Sequence, residues 1–274
     1  MATYEQPKGS FVRLINIPMK SLFTFFLLSA AALAQGVNAD AGALKAKQLV
    51  QQSIQALGGA RYLGIRDVKQ QGRGYGFDRT GASRGVGVPF TRSYVPYDKE
   101  RYDFFRDGDW TIIRTGDKAY ETTYHGTREQ DAAEIADHNR RKQFTLERIL
   151  REWVSDPKTA FFYEGETISE TKRVHQISLM NASNQSVTLY LDLKTLLPVK
   201  KSYTWRNTEM REMWEEAELY DNYRLVDGIQ TPFLLTATQN GKMSGQRFLN
   251  TVTYNNGFAD SLFVPPPVSF GKKK

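Results

Sequence analysis

The apolar residues of this chain keep a helical period in two stretches and an alternating one almost everywhere else. Ala43, Ala46, Val50, Ile54 and Leu57 recur at steps of three and four, with Leu49 and Ala56 widening the stripe. Lys45, Lys47 and Gln51 lie off it, Asp40 stands where an N-cap belongs, and Gly58-Gly59 ends the pattern. The spacing predicts a helix over 41–57. Residues 131–154 carry Ile135, Ala136, Leu146, Ile149, Leu150 and Trp153 at helical spacings and close on Asp156-Pro157. They read as two helices or one kinked helix.

From Asp67 the period is two. Glycines 72, 74 and 76 sit in or beside the first strand, where glycine marks a bend or bulge. Residues 78–98 read as a long loop, glycine-rich over 78–88. Glu100–Arg106 and Trp110–Thr115 flank the turn signal Asp107-Gly108, and Gly116-Asp117 leads into Lys118–Thr123. The last hundred residues read as a meander of strands at Val174–Met180, Ser186–Leu193, Leu197–Trp205, Glu212–Tyr223, Ile229–Gln239 and Gln246–Tyr254. Val187, Leu189, Leu191 and Leu193 face one way; Thr188, Tyr190 and Asp192 face the other. The sheet therefore has one apolar and one wet face. Roughly ten antiparallel strands in one sheet curl, and only two helical segments are available to cover the hollow. The fold class is mostly antiparallel β with two helical segments, and where the helices do not fill the hollow either the sheet collapses on itself or a ligand completes the core.

The first forty residues follow neither period. Met19-Lys20 precedes an apolar run, Ser21 to Ala34, that ends in the small-x-small sequence Ala32-Leu33-Ala34. It is too short to span a bilayer, which takes about 20 apolar residues, and reads as a cleaved signal over 1–34 with Met19 as the true start. Val37-Asn38-Ala39 is a second cleavage candidate. Residues 35–264 then form a single domain and 265–274 a Pro-rich basic tail. The net charge of +7 is concentrated at the ends. Residues 1–34 hold a surplus of two positive charges and Lys272-Lys273-Lys274 three, so two remain for the body, too few to argue for nucleic acid. Zero cysteines exclude disulfides, thiolate nucleophiles and a lipid-acceptor cysteine.

Candidate chemistry is thin. Gly81-Ala82-Ser83-Arg84-Gly85 has the G-x-S-x-G spacing, but the nucleophile elbow needs a strand before and a helix after, and here it falls in a loop between hairpins. His125, His138 and His175 form no ligand pair, so no metal is expected. The acidic run Glu212, Glu215, Glu216 and Glu218 reads as cross-strand partners of Lys200 and Lys201. Trp205, Met210, Met213 and Trp214 cluster at one hairpin tip, as rim packing or a flap. With Phe233 and Leu235, from the apolar face of the next strand, they are the lipid-facing candidates.

The order of these features resembles the LolA/LolB-like outer-membrane lipoprotein-sorting proteins. A helix ends Ala56-Leu57-Gly58-Gly59 and a strand with Gly72 follows. Later come Leu189-Tyr190-Leu191-Asp192, Leu197-Pro198-Val199, Tyr220-Asp221-Asn222-Tyr223-Arg224, Asp227-Gly228-Ile229, Pro232 and Leu262-Phe263. The resemblance implies an unclosed half-barrel plugged by helices, with an apolar cavity that receives lipid or lipoprotein acyl chains in the periplasm, a carrier or chaperone with no enzymatic activity and no cofactor. It transfers no ligand-binding residue. The expectation is a monomer that meets inner- or outer-membrane proteins. The alternative on the same fold is a non-enzymatic periplasmic sensor or interaction module.

Overall fold

The first strand of the chain becomes the middle of its sheet. The computed structural model describes residues 40–105, 109–208 and 210–269. The expected leader with Met19, the turn expected at Asp107-Gly108 and residues 270–274 lie outside them. Thirteen described strands form one antiparallel sheet. They are β1 (Val68–Gly76), β2 (Val88–Val95), β3 (Lys99–Phe105), β4 (Asp109–Thr115), β5 (Lys118–Thr123), β6 (Gly126–Glu129), β7 (Ala160–Ser169), β8 (Lys172–Met180), β9 (Ser186–Asp192), β10 (Pro198–Asn207), β11 (Glu212–Val226), β12 (Ile229–Gln239) and β13 (Lys242–Tyr254). Two meanders, β1 to β6 and β7 to β13, join where β1 pairs with β13, so the spatial order runs from β6 through β1 and β13 to β7.

That order fixes where the helices lie. β6 and β7 are the two edges of the sheet, and only residues 130–159 connect them. This connection must cross the open side of the half-barrel, and it carries the second helical stretch. It forms two helices, α3 (Ala132–Gln143) and α4 (Leu146–Arg148), with α4 continuing as a π-helical turn over Ile149–Trp153. Asp131 opens α3, its amide bonded to the Glu134 carboxylate at 3.1 Å. α1 (40–57) and the short α2 (Ala60–Leu63) complete the set.

The two long helical segments differ in kind. α1 buries Ala46, Val50, Ile54 and Leu57, the stripe read from its spacing. Leu146, Ile149, Leu150 and Trp153 are likewise buried, whereas α3 buries no residue. α1 and α4 share one continuous core with Ile177 and Leu179 of β8 and Val187, Leu189 and Leu191 of β9. Each of these strand residues is at most 1 % exposed. The β8–β9 side is thus filled by hydrocarbon, while α3 lies on the molecule as a polar bar.

Three strands escape the sequence reading. Ala160–Ser169 and Gly126–Glu129 have too little alternation to register. The loop expected over 78–98 contains β2, paired along its length to β1 and β3. Pro89 and Pro96 disguise it, yet Phe90, Ser93 and Tyr94 are buried. The bulge expected from the glycines lies between Gln71 and Gly72, opposite an extra residue in β13. Beyond β13, the described part of the Pro-rich tail returns to the exposed edge. Ser269 donates its amide to Thr127 O at 3.0 Å, and its hydroxyl accepts from the Thr127 amide at 2.8 Å. Covering β6 in this way removes a pairing edge.

Candidate functional site

Between α3, α4 and the β1–β3 and β11–β13 strands the sheet leaves a cavity of about 420 Å³, within the range of small-molecule sites. One part of its wall is aromatic and aliphatic: Leu57, Tyr62, Ile65, Tyr94, Tyr220 and Tyr254. The rest is charged, which corrects the uniformly apolar cavity expected from sequence. Alternation placed one polar and one apolar face on each strand, but on β2, β3 and β11 the inward face itself carries ions.

Two carboxylates organise them. Glu100 stands directly opposite Arg114 on β4 and diagonally across the same face, two pairs along, from Arg92 on β2. Arg92 donates Nε and Nη2 to one Glu100 oxygen at 2.9 and 2.7 Å, and Arg114 donates Nη1 to the other at 2.6 Å. Burial alone would raise the Glu100 pKa, but the two guanidinium groups win and hold it at about 2. His138 of α3 approaches the same carboxylate at 3.7 Å. Its burial outweighs that attraction and lowers its pKa to about 4, so the imidazole is neutral.

Glu218 of β11 is the second. Lys201 lies opposite it in register, 3.5 Å away. Arg247 of β13 donates to it at 2.8 Å, and the Tyr220 hydroxyl donates at 2.8 Å. Burial again works to raise its pKa; Lys201 and Arg247 hold it at about 2. Lys201 also donates to the Phe144 carbonyl, and Arg247 to the Tyr102 hydroxyl at 3.1 Å. Glu216, one step along the same face, takes Arg140 of α3 at 2.8 Å, Tyr203 at 2.6 Å and Trp205 at 3.1 Å. Lys200 and Lys201 therefore account for Glu215 and Glu218, as the strand reading proposed, but Glu216 holds a helix.

A second cavity, about 350 Å³, adjoins the first. Gly74, Gly76 and Gly245 leave its floor open, and Val88, Phe104, Trp110, Leu235 and Ala237 make it apolar. Arg247 and Glu218 line both cavities and stand between them.

Of the six sequence-derived candidates, Leu235 lines both cavities. Phe233 is buried in the core cluster. Trp205 packs edge-on against Trp214, with Arg140 3.7 Å above its ring. Met210 and Met213 are 53 % and 62 % exposed near the β10–β11 turn. The cavity's ions went unnoticed in the sequence; the available signal was Arg92 and Glu100 at inward positions of a short hairpin. Ser83 lies in the exposed β1–β2 loop, its hydroxyl bonded to Gly85 O at 3.1 Å, with no helix following. Glu100, Glu216 and Glu218 are each held by cations, and the Glu147 carboxylate accepts from Tyr94 at 3.3 Å.

Solved structures place this architecture. The fold is shared with LolA superfamily proteins. One such protein, from Nitrosomonas europaea, superposes with a TM-score of 0.50 at 8% identity, over 80% of this chain and 97% of the other. A DUF1329 family protein from Desulfovibrio piger gives 0.53 at 11% identity, over 80% and 97%. An outer membrane lipoprotein-sorting protein domain from Vibrio parahaemolyticus gives 0.51 at 11%, over 81% and 97%. Identities this low establish the fold and nothing finer. No protein-family model and no curated sequence matches the chain. No helix among the described residues is long and apolar enough to cross a membrane.

Proposed function

We propose that this protein is a non-catalytic carrier, exported to the periplasm by a leader cleaved after Ala34, that shelters a lipid between its sheet and its crossing helices. The observation that carries this reading is the pair of joined cavities left where α3 and α4 bridge the sheet edges. A structural core fills such a hollow, as this chain does beside β8 and β9. Leaving it open on one side only is what a ligand requires. The lipoprotein-sorting description of the Vibrio protein of like fold supports a lipid cargo. Burial drives the binding, at ~0.8 kcal/mol for each methylene removed from water.

The test is gentle purification followed by mass spectrometry of an organic extract, with uptake of a fluorescent acyl probe by the emptied protein. Co-purified lipid and saturable uptake are expected. An extract without lipid, together with no probe uptake, removes the carrier reading.

A further inference from the structure

The carrier reading leaves the cargo's chemistry open, and the charges inside the cavity narrow it. The described lining of the larger cavity has seven basic side chains against five acidic ones, with His138 neutral. Within it Glu100 and Glu218 each face two cations: Arg92 with Arg114, and Lys201 with Arg247. Buried charge is costly unless matched, and a carboxylate shared between two cations leaves one unmatched.

Hydrogen bonding shows the same deficit. The Arg114 Nε and the Tyr62 hydroxyl are buried in this wall without a partner among the described residues. Arg92, a residue of the cavity wall, spends Nε and Nη2 on Glu100, and its Nη1 has no hydrogen-bond partner among the described residues. Unsatisfied donors of this kind mark a wall with more donors than acceptors. The adjoining cavity has the opposite character, apolar and floored by glycine, with Arg247 at the junction.

We infer that the cargo is an anionic amphiphile, its carboxylate or phosphate head held inside the half-barrel by Arg92, Arg114, Lys201 and Arg247, and its hydrocarbon lying in the glycine-floored cavity. A wholly apolar molecule would strip water from the ion pairs and return nothing to them. A small polar anion would leave the second cavity without a match. A guanidinium pair suits either head group, since both accept bidentate hydrogen bonds. This inference rests on the carrier reading and is tested separately from it.

The experiment compares cis-parinaric acid with its methyl ester, binding to delipidated protein at neutral pH, with acetate and inorganic phosphate titrated calorimetrically alongside. The acid is expected to bind at least tenfold more tightly than the ester, and neither small anion to reach its affinity. Equal affinity for acid and ester overturns the anionic head while leaving the carrier intact. Failure of both probes to bind overturns the carrier and this inference together. Phosphate or acetate binding as tightly as the acid overturns the amphiphile in favour of a simple anion site.

Two substitutions assign the charge to these residues. Arg247→Gln lowers the acid-to-ester preference and Glu218→Gln raises it, each by tenfold or more, with circular dichroism reporting the fold. A merely structural role for the pair would weaken both ligands alike in both variants, and that outcome refutes the assignment. Arg92→Gln, at the other carboxylate, repeats the first direction should Arg247→Gln fail to fold.

Discussion

Two glycines two residues apart in β1 should respond to substitution with opposite signs, and the contrast tests what the second cavity is for. Gly72 sits at the bulge, where an added Cβ would fall 2.1 Å from the Phe248 carbonyl oxygen. That atom is backbone and cannot step aside, so Gly72→Ala should cost about 2 kcal/mol or more as the β1–β13 ladder shifts. Gly74 faces the same way, but its nearest neighbour to a new Cβ is a Phe90 ring carbon at 3.7 Å, an ordinary contact. Gly74→Ala should therefore stabilise, by roughly 0.5–1 kcal/mol, because a strand glycine gives the unfolded chain excess freedom. Gly74→Leu goes further and projects four carbons into the 350 Å³ cavity. If hydrocarbon cargo occupies that space, about four methylenes are displaced at ~0.8 kcal/mol each, close to 3 kcal/mol and on the order of a hundredfold in affinity. Urea denaturation measures the first quantity and titration with a fluorescent fatty acid the second. Weaker binding by a protein at least as stable as the parent is the expected result. Full-strength binding by a folded Gly74→Leu would refute the placement of the tail, and a gain in stability from Gly72→Ala would refute the reading of the bulge.

His138 supplies an acid-sensitive contribution. Its folded pKa of about 4 lies below the ordinary ~6.5, so the unfolded chain takes up the proton first as pH falls. The stability this group contributes is complete above ~6.5 and is lost on the way down to about 4. With the side chain 26% exposed, His138→Gln should abolish at most about 2 kcal/mol of the loss between pH ~7 and ~5; an unchanged difference between unfolding curves at the two pH values would contradict this. Glu100 and Glu218, held at about 2, act lower, their contribution present above ~4.5 and lost as pH falls toward 2. Leu189→Ala, at a fully buried site on β9, should cost 2–5 kcal/mol, seen as a lower urea midpoint; a change under about 1 kcal/mol would mean that side of the half-barrel is not the core. α3, which buries no residue, should exchange its amide protons faster than α4. Glu216→Gln, by loosening Arg140 and Arg141, should speed α3 alone, and equal acceleration of both helices would argue against separate anchoring.

How much of this was legible in the sequence depended on how far apart in the chain the partners lie. The α1 stripe and the strand Ile229–Gln239 could be read because period and turn residues are local, and the structure keeps that strand's bounds unchanged. The curled, incompletely covered sheet followed from counting strands against helices, and its unclosed barrel from the family resemblance. β2 was missed because two prolines imitate a loop, and β7 because its burial pattern alternates only weakly.

The cavity divides along the same line. Arg92 and Glu100 belong to one short hairpin, and the turn between Val95 and Lys99 already sets them two pairs apart on a shared face. Two opposite charges at inward positions of such a hairpin are a signal that sequence reasoning can use. Arg247 and Glu218 are different. Their meeting depends on the registers of β11 with β12 and of β12 with β13, and on a bulge between Ala237 and Thr238 that shifts the second. A one-residue error anywhere along that path turns one of the charges outward. The α3 contacts depend on more still, because the helix reaches Glu216 only through a connection that spans the whole sheet. Alternation alone assigns the inward face to hydrocarbon, and most of the sheet obeys it. The exceptions are charged residues whose partners lie on other strands, and those partners become visible only once the strands are in register. That is why a sequence that announces its hollow conceals the chemistry of its lining.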